Sequence, residues 1–323
     1  MSDDSSLPIH AVLPQLKAAL AGGPNAVLVA PPGVGKTTAV APALLGEEWC
    51  TGEILLLSPR RVAARAAAER MAAMLGEKPG ETIGYLTRLD SKRSAKTRVT
   101  VLTEAIFLNR IVADPELPGV SAVLFDEAHE RHLDSDFGLA LALETQGVLR
   151  EDLRLLVMSA TLDGERFAGL MPNGKSACCV IESEGRSHPL RIEWVGSSGT
   201  QRFEDAMADA LAQAWRAEQG DILAFLPGVR EIERVRERLE ERLRGALVLP
   251  LHGQVDPAGQ RAAIRRDPEG RRRIVLATAI AETSLTLDGV TVVVDGGLSR
   301  RAEYDRAARP LRGGGLRGLH RHQ

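Results

Sequence analysis

Residues 30–38 of this 323-residue chain have the types and spacing needed to bind phosphate. They read Ala-Pro-Pro-Gly-Val-Gly-Lys-Thr-Thr, after an apolar run and before a helix-forming stretch. Glycines here let backbone N–H groups converge on phosphate oxygens, and the helix start adds partial positive charge. Lys36 is expected to reach the β- and γ-phosphates, and the Thr37 hydroxyl to ligate Mg²⁺. The predicted binding loop for ATP and Mg²⁺ consists of Gly33, Val34, Gly35, Lys36, Thr37 and Thr38.

A glycine-rich turn without a ligand is the alternative interpretation of this loop. Few such turns also place Gly-Lys-Thr-Thr directly after an apolar strand, so phosphate binding is favoured. The loop departs from the usual pattern at Ala30, where a glycine is typical, and it lacks the third glycine of a dinucleotide fingerprint.

Asp126 and Glu127 form a second group of chemically suitable residues. They follow the apolar run at residues 121–125, and a strand ending there would place both carboxylates at the carboxyl edge of a sheet. Asp126 is then expected to hold Mg²⁺, and Glu127 to orient and deprotonate an attacking water. A solvated strand end explains the two acids taken alone. Beside a phosphate-binding loop earlier in the chain, catalysis is the stronger interpretation.

Alternating apolar runs and helix-forming stretches predict an α/β fold whose parallel sheets are covered by helices on both faces. The predicted strands of the first half cover residues 26–30, 53–58, 97–102, 121–125 and 153–158. Its predicted helices cover residues 38–45, 61–75, 104–113 and 137–149.

The alternation stops around residues 173–198, which are rich in Gly, Ser and Pro, and then starts again. Predicted strands follow at residues 221–226, 246–251, 273–277 and 290–295, with helices at 203–217, 229–242 and 257–266. We therefore expect a first domain at residues 1–182, a second at 183–298, and a basic irregular tail at 299–323. The tail holds seven arginines against two acidic residues.

The composition excludes several classes of protein. Hydrophobic residues make up 44% of the chain, charged residues 26%, and the net charge is −2, as in ordinary globular proteins. Three cysteines cannot build a disulfide framework, so no disulfide partner is expected, and Cys178 and Cys179 are predicted to be small buried residues of a strand. No apolar run reaches the ~18 residues of a membrane span, and no signal peptide is visible. These features predict a cytoplasmic protein without a membrane partner.

The sequence Asp-Glu-Ala-His-Glu-Arg at residues 126–131 resembles the signature of the DEAH-box superfamily 2 helicases, and further blocks occur in that family's order. The blocks in the first half are residues 59–64, 84–88, 103–105 and 159–161, and those in the second are 220–228, 251–253 and 277–286. Ala-Pro-Pro-Gly in the loop and Pro-Arg-Arg at 59–61 resemble the bacterial HrpB-type branch. The resemblance implies two RecA-like P-loop domains and an ATP-dependent helicase acting on single-stranded nucleic acid, RNA more than DNA.

The resemblance also implies roles for individual residues. His129 would act with the catalytic set of Lys36, Asp126 and Glu127 by linking the nucleotide to the second domain. Ser159 and Thr161 would couple ATP hydrolysis to movement of the nucleic-acid strand. Both residues also suit an ordinary cap at the end of a β-strand. The implied nucleic-acid contacts are Arg60, Arg61, Thr103, Glu104, Thr283 and Ser284. Because only 3% of residues are aromatic, these contacts are expected to be made mainly with the backbone of the strand.

Two departures from the family pattern affect the expected activity. Ala279 stands where the family usually has Asn, and no Gln-Arg-x-Gly-Arg-x-Gly-Arg block follows residues 290–295. In the family, that block supplies the arginines that close on the γ-phosphate. We therefore expect the second domain to be incomplete, truncated before the arginine-finger motif. The alternative to a working helicase is a catalytically impaired chain that binds nucleotide and nucleic acid without unwinding.

Overall fold

The computed structural model describes residues 7–161, 164–171, 178–184, 190–196, 200–281, 287–300 and 319–321. The chain divides into two compact units, residues 1–189 and 190–323. The boundary expected between residues 182 and 183 lies slightly before this division and stays a prediction. Within the described ranges, no helix combines the length and apolar character that crossing a bilayer requires.

The first unit is built on an eight-stranded sheet. Its strands are β1 (Asn25–Val29), β2 (Glu53–Ser58), β3 (Ile83–Leu86), β4 (Ser91–Lys92), β5 (Val99–Thr103), β6 (Val120–Phe125), β7 (Arg154–Ser159) and β8 (Cys179–Glu182). They lie in the order β4-β3-β5-β2-β6-β7-β1-β8. The pairings are parallel except for the edge hairpin of β3 and β4. β7 therefore separates β1, which precedes the phosphate loop, from β6, which precedes Asp126.

Six α-helices flank this sheet in the part of the first unit that the structure describes. They are α1 (Leu13–Gly22), α2 (Lys36–Leu44), α3 (Arg61–Met74), α4 (Glu104–Ala113), α5 (Leu133–Val148) and α6 (Gly164–Leu170). β1 is buried along its whole length, and its side chains alternate between two separate hydrophobic clusters. One cluster contains Leu16 of α1 and Val40 of α2, whereas the other contains Phe107 of α4 and Phe167 of α6. The sheet is therefore covered on both faces, as the continuous apolar runs predict.

The second unit repeats this plan on a smaller scale. Its strands β9 (Asp221–Phe225), β10 (Leu247–Leu251), β11 (Arg273–Ala277) and β12 (Val290–Asp295) form a parallel sheet in the order β10-β11-β9-β12. The accompanying helices are α7 (Phe203–Ala217), α8 (Val229–Arg242) and α9 (Pro257–Ile264). The predicted α/β class with parallel, helix-covered sheets is thus confirmed in both units.

A buried ion pair joins the strands of the second unit. Arg273 of β11 has no exposed surface, and its guanidinium lies 2.8 Å from the Asp221 carboxylate of β9. It also donates to the carbonyl oxygens of Ala262, Ala263 and Asp288. One side chain therefore connects α9, β9, β11 and the approach to β12.

Several element boundaries differ from those predicted from sequence. α5 begins at Leu133 rather than 137, and α9 ends at Ile264 rather than 266. Elements that the sequence patterns did not predict are α1, α6, β3, β4, β13 (Leu298–Arg300) and β14 (Leu319–Arg321). β8 begins at Cys179, one of the two cysteines predicted to lie in a strand, and Cys178 directly precedes it. β13 and β14 pair antiparallel within the segment expected to be irregular. Strands of three residues are too short to produce a periodic signal.

Candidate functional site

The phosphate loop lies at the carboxyl end of β1 and leads into α2. Gly33 and Gly35 have φ values of 80° and 96°, a region that favours glycine, and Gly35 is the N-cap of α2. The Ala30 N–H donates to the Ser159 carbonyl at 2.9 Å, which fixes the start of the loop to the end of β7. A methyl group on Gly35 would stand 2.7 Å from Leu7 Cδ1. Leu7 therefore packs directly against the loop, a contact that the sequence analysis did not predict.

Lys36 occupies the first turn of α2 with its ammonium group buried. Its Nζ lies 3.4 Å from the Ala30 carbonyl oxygen and 3.4 Å from Glu127 Oε2. The side chain is 5% exposed. Both distances are at the long limit for a hydrogen bond, so neither contact holds the ammonium tightly. Its charge is therefore available to a phosphate oxygen entering the loop.

Thr37 and Asp126, the two predicted Mg²⁺ ligands, are brought together from opposite sides of β7. Thr37 Oγ1 donates to Asp126 Oδ2 at 2.6 Å, and the Glu127 N–H donates to Asp126 Oδ1 at 2.9 Å. Burial, with a smaller effect of the Glu127 charge, raises the pKa of Asp126 to about 6, while Lys36 and the Thr37 hydrogen bond oppose this. A buried carboxylate beside a hydroxyl is an oxygen pair that fits a magnesium ion, because Mg²⁺ is usually held by a few protein oxygens together with phosphates.

Glu127 and His129 lie in the turn that follows β6. Glu127 has φ 53°, so the chain turns sharply and the carboxylate faces back toward Lys36. His129 Nδ1 lies 3.5 Å from Glu127 Oε2 and accepts a hydrogen bond from the Ala160 N–H at 3.2 Å. An acceptor at Nδ1 places the imidazole proton on Nε2. His129 therefore connects Glu127 to the segment after β7.

Ser159 and Thr161 close this connection on the β7 side. Ser159 has no exposed surface, and its hydroxyl donates to the Thr161 carbonyl at 3.2 Å and accepts from the Thr161 N–H at 3.2 Å. The predicted coupling residues thus form one local turn beside His129. Their coupling role stays a prediction.

The predicted nucleic-acid contacts lie at the carboxyl ends of β2 and β5. Arg60 and Thr103 are the N-cap residues of α3 and α4, and Arg61 is exposed in the first turn of α3. Glu104 differs from them because its carboxylate is buried and faces His132, 3.5 Å away. Burial raises the pKa of Glu104, and His132 and a hydrogen bond from Ser135 oppose the rise. Thr283 and Ser284 lie outside the described residues.

Two residues near this site were not singled out from the sequence as site residues. Glu130 and His132 interact at 3.1 Å, and Glu130 also lies 3.7 Å from Arg60. Their proximity to the helix starts depends on how β2, β5 and β6 adjoin in the sheet, which no local pattern encodes. The only available signal was their position directly after the Asp-Glu-Ala-His motif.

Comparisons with known proteins agree with this architecture. Residues 12–168 match the family described as DEAD/DEAH box helicase, and residues 204–314 match the helicase conserved C-terminal domain. The chain is 47% identical to the ATP-dependent RNA helicase HrpB of Escherichia coli over 302 residues, which are 93% of this chain and 37% of that protein. It is 34% identical to the ATP-dependent RNA helicase DHX30 of Gallus gallus, covering 93% of this chain and 26% of the relative.

Solved structures show the same likeness. A crystal structure of the E. coli DEAH/RHA helicase HrpB superposes with a TM-score of 0.85, covering 93% of this chain and 38% of the other. A second, of the E. coli DExH-box NTPase HrpB, gives a TM-score of 0.75, covering 93% of this chain and 37% of the other. The chain thus spans well under half the length of the proteins it matches. The two family matches, the identity to HrpB across nearly all of this chain and the geometry of the site together show that the chain belongs to the DEAD/DEAH box helicase family.

Proposed function

We propose that this chain supplies the ATP-hydrolysing and strand-binding part of an ATP-dependent RNA helicase. The observation that carries the proposal is the convergence of Thr37 and Asp126 at 2.6 Å, with Lys36 and Glu127 facing each other beside them. The names of the relatives, both ATP-dependent RNA helicases, support RNA as the nucleic acid. We also propose a cytoplasmic location, because a chain with only three cysteines suits a reducing compartment, and recovery of the chain with membranes on cell fractionation would contradict it.

ATP binding is assigned to the loop of residues 33–38. Its backbone N–H groups bind phosphate oxygens, and the Lys36 ammonium replaces its two long contacts with a phosphate contact. Thr37 and Asp126 would hold Mg²⁺, which neutralises charge on the phosphates. Glu127 orients the attacking water and accepts its proton, since its carboxylate lies on the phosphate side of the turn beside Lys36.

Two sets of residues are assigned to the RNA strand: one couples its binding to the nucleotide, and the other binds its phosphates. His129, Ser159 and Thr161 respond to the state of the nucleotide through the contacts of Glu127 and Ala160 with the imidazole. Phosphate-directed binding of RNA is assigned to Arg60, Arg61 and Thr103, with Thr283 and Ser284 added from the second unit. Such binding releases counterions, so RNA affinity is expected to fall steeply with salt.

A binding function without unwinding is the second candidate. It is favoured by the absence of a Gln-Arg-x-Gly-Arg-x-Gly-Arg sequence in this chain. An arginine that contacts the γ-phosphate contributes about 10³–10⁵ in rate in related phosphoryl transfers. On its own, this chain is therefore expected to bind ATP with Mg²⁺ and to hydrolyse it slowly.

The test is phosphate release by the 323-residue chain with ATP, Mg²⁺ and a single-stranded RNA, alongside nucleotide affinity. We expect Glu127→Gln to lower phosphate release by about 10²–10⁴-fold with little change in nucleotide affinity, because an amide cannot accept the proton of water. Glu144→Gln, on the exposed side of α5, is the matched control and should change neither. Binding without RNA-stimulated release would favour the second candidate, and absence of nucleotide binding would overturn both.

A further inference from the structure

Four side chains from three separate segments meet at the carboxyl edge of the first sheet, here termed the Glu130 cluster: Arg60, Glu104, Glu130 and His132. Glu130 Oε2 lies 3.1 Å from His132 Nε2 and 3.7 Å from the Arg60 guanidinium. His132 Nδ1 faces Glu104 Oε2 at 3.5 Å. The imidazole thus stands between two largely buried carboxylates, and Glu130 joins it to an arginine.

The cluster bridges the two functional regions of the first unit. Glu130 ends the short helical turn Ala128–Glu130 that begins directly after Glu127, and His132 is the N-cap of α5. Arg60 and Glu104 belong to the starts of α3 and α4, the helices whose first residues are assigned to RNA binding. The side-chain contacts of the Glu130 cluster therefore form a continuous path from the turn after Glu127 to both helix starts.

The turn that carries these contacts has an unusual backbone conformation at both ends. Glu127 and Arg131 flank it with φ values of 53°, a conformation that non-glycine residues adopt only where the surroundings hold it. Arg131 is further fixed by Asp136, whose carboxylate accepts its Nη2 at 2.7 Å. Glu127 and Glu130 therefore belong to one short turn, and the position of one is tied to that of the other by three peptide units.

The contacts of Glu130 are incomplete in the present arrangement. Its Oε1 is buried and has no hydrogen-bond partner among the residues that the structure describes. A buried acceptor without a partner costs about 1–3 kcal/mol. The Arg60–Glu130 distance of 3.7 Å is also long for an ion pair, so this contact alone does not fix the orientation of the Glu130 carboxylate. The Glu130 carboxylate therefore retains one hydrogen bond to gain if the cluster rearranges.

We propose that Glu130 and His132 are positioning residues that couple the nucleotide site to the RNA-binding starts of α3 and α4. Glu130 sets the orientation of Arg60, and His132 sets the orientation of the first turn of α4 through Glu104. Neither residue touches nucleotide or RNA. The proposal rests on the proposed function, since it requires both ligands to bind this unit.

Thermodynamic coupling between the two ligands tests the proposal. The affinity of the full chain for a fluorescent single-stranded RNA is measured with and without a non-hydrolysable ATP analogue and Mg²⁺. The ratio of the two dissociation constants is the coupling factor, typically about 5–150-fold in coupled systems. We expect Glu130→Gln and His132→Ala to bring this factor close to one while affinity for the analogue alone stays within about two-fold. His132→Gln, which keeps a polar side chain near Glu104, should restore part of the factor.

Glu144→Gln is the matched control, because it makes the same exchange as Glu130→Gln on the exposed side of α5, away from the Glu130 cluster. It should leave the coupling factor unchanged. A coupling factor of one in the unsubstituted chain, or one that Glu130→Gln and His132→Ala leave intact, would overturn the proposal while the proposed function stands. Loss of RNA affinity in equal measure with and without the analogue would show a structural role only and would also overturn it. Failure of the unsubstituted chain to bind either ligand would instead contradict the proposed function.

Discussion

Two buried cations in this chain differ in how completely their hydrogen-bonding capacity is used. Arg273 donates to one carboxylate and three carbonyl oxygens at 2.5–3.2 Å, so its guanidinium is saturated. Lys36 has two contacts at 3.4 Å. A buried charge that is fully paired contributes to the folded structure, whereas one held by long contacts retains free energy to gain from a ligand. This contrast favours a structural role for Arg273 and supports the proposed phosphate-binding role of Lys36.

Tyr85 offers a test of a single buried group. Its hydroxyl donates to Asp90 at 2.7 Å, and burial, followed by that hydrogen bond and the Asp90 charge, raises its pKa to about 12. The stabilisation from the protonated phenol is fully present below the ordinary pKa of 10.0 and is lost as pH rises through about 12. The chain has two tyrosines, so phenolate absorbance of a Tyr304→Phe variant reports Tyr85 alone. We expect a titration midpoint about two units above the ordinary value.

The Asp90→Asn substitution provides the comparison for this titration. An amide lacks the charge that opposes phenolate formation, so the midpoint should move toward 10. Circular dichroism recorded alongside separates titration of the folded chain from alkaline unfolding. A midpoint near 10 in the folded chain with Asp90 in place would contradict the geometry of this hydrogen bond.

At the scale of elements, the long strands and helices could be predicted from the sequence, whereas several short elements that pack around them could not. β2, α4, α7, α8, β11 and β12 have the predicted bounds. Their apolar runs or helix-forming stretches are long enough to be read locally. α1 was missed although Leu13, Leu16 and Leu20 are all buried at helical spacing. β3 and β4 have four and two residues, so their conformation depends on pairing rather than on sequence.

The same division holds for the candidate site. Lys36, Asp126 and Glu127 were predictable because the chemistry requires those residue types directly after apolar strands. The Glu130 cluster was not, since its four members become neighbours only through the order of β5, β2 and β6 in the sheet. Glu104 illustrates the difference. The sequence analysis grouped it with the nucleic-acid contacts, whereas in the structure its carboxylate faces His132.

α6 gives an element-level prediction, because its first residue packs against β1 directly before the phosphate loop. A methyl group on Gly164 would lie 2.5 Å from Val29 Cγ2 and 3.1 Å from Val180 Cγ1. Both neighbours are β-branched side chains with restricted rotamers, so they cannot easily move aside. We expect Gly164→Ala to destabilise the chain by about 1–3 kcal/mol in urea unfolding.

Gly169→Ala in the same helix serves as the control for this packing effect. Apart from its chain neighbours and the backbone of α6 itself, no atom of the described residues lies within 4 Å of the added methyl group at Gly169. Replacing a helical glycine by alanine is expected to be neutral or to stabilise by up to about 1 kcal/mol. Equal destabilisation by both variants would show that α6 does not pack against β1 in this way.

At the scale of the whole molecule, the chain consists of two units with separate sheets and separate hydrophobic clusters. Each sheet has its own sequence-local pattern, which is why both were predictable independently. Because the hydrophobic clusters are separate, we expect that a substitution that destabilises one sheet leaves the other folded. Arg273, whose buried guanidinium makes hydrogen bonds to four groups of the second unit, is the most direct place for such a substitution.

Arg273→Met keeps most of the side-chain volume and leaves the buried Asp221 carboxylate without its partner, a change that costs about 3–5 kcal/mol. We expect amide hydrogen exchange to rise strongly in β9, β11 and β12 and to remain unchanged in β1, β6 and β7. Arg271→Met removes a neighbouring arginine that is 54% exposed and pairs with Asp267, so it should cost only about 0–1 kcal/mol. Faster exchange in β1 and β6 of the Arg273→Met chain would mean that the two sheets unfold together. Exchange confined to the second sheet would show that the nucleotide site stays folded when the second unit is weakened.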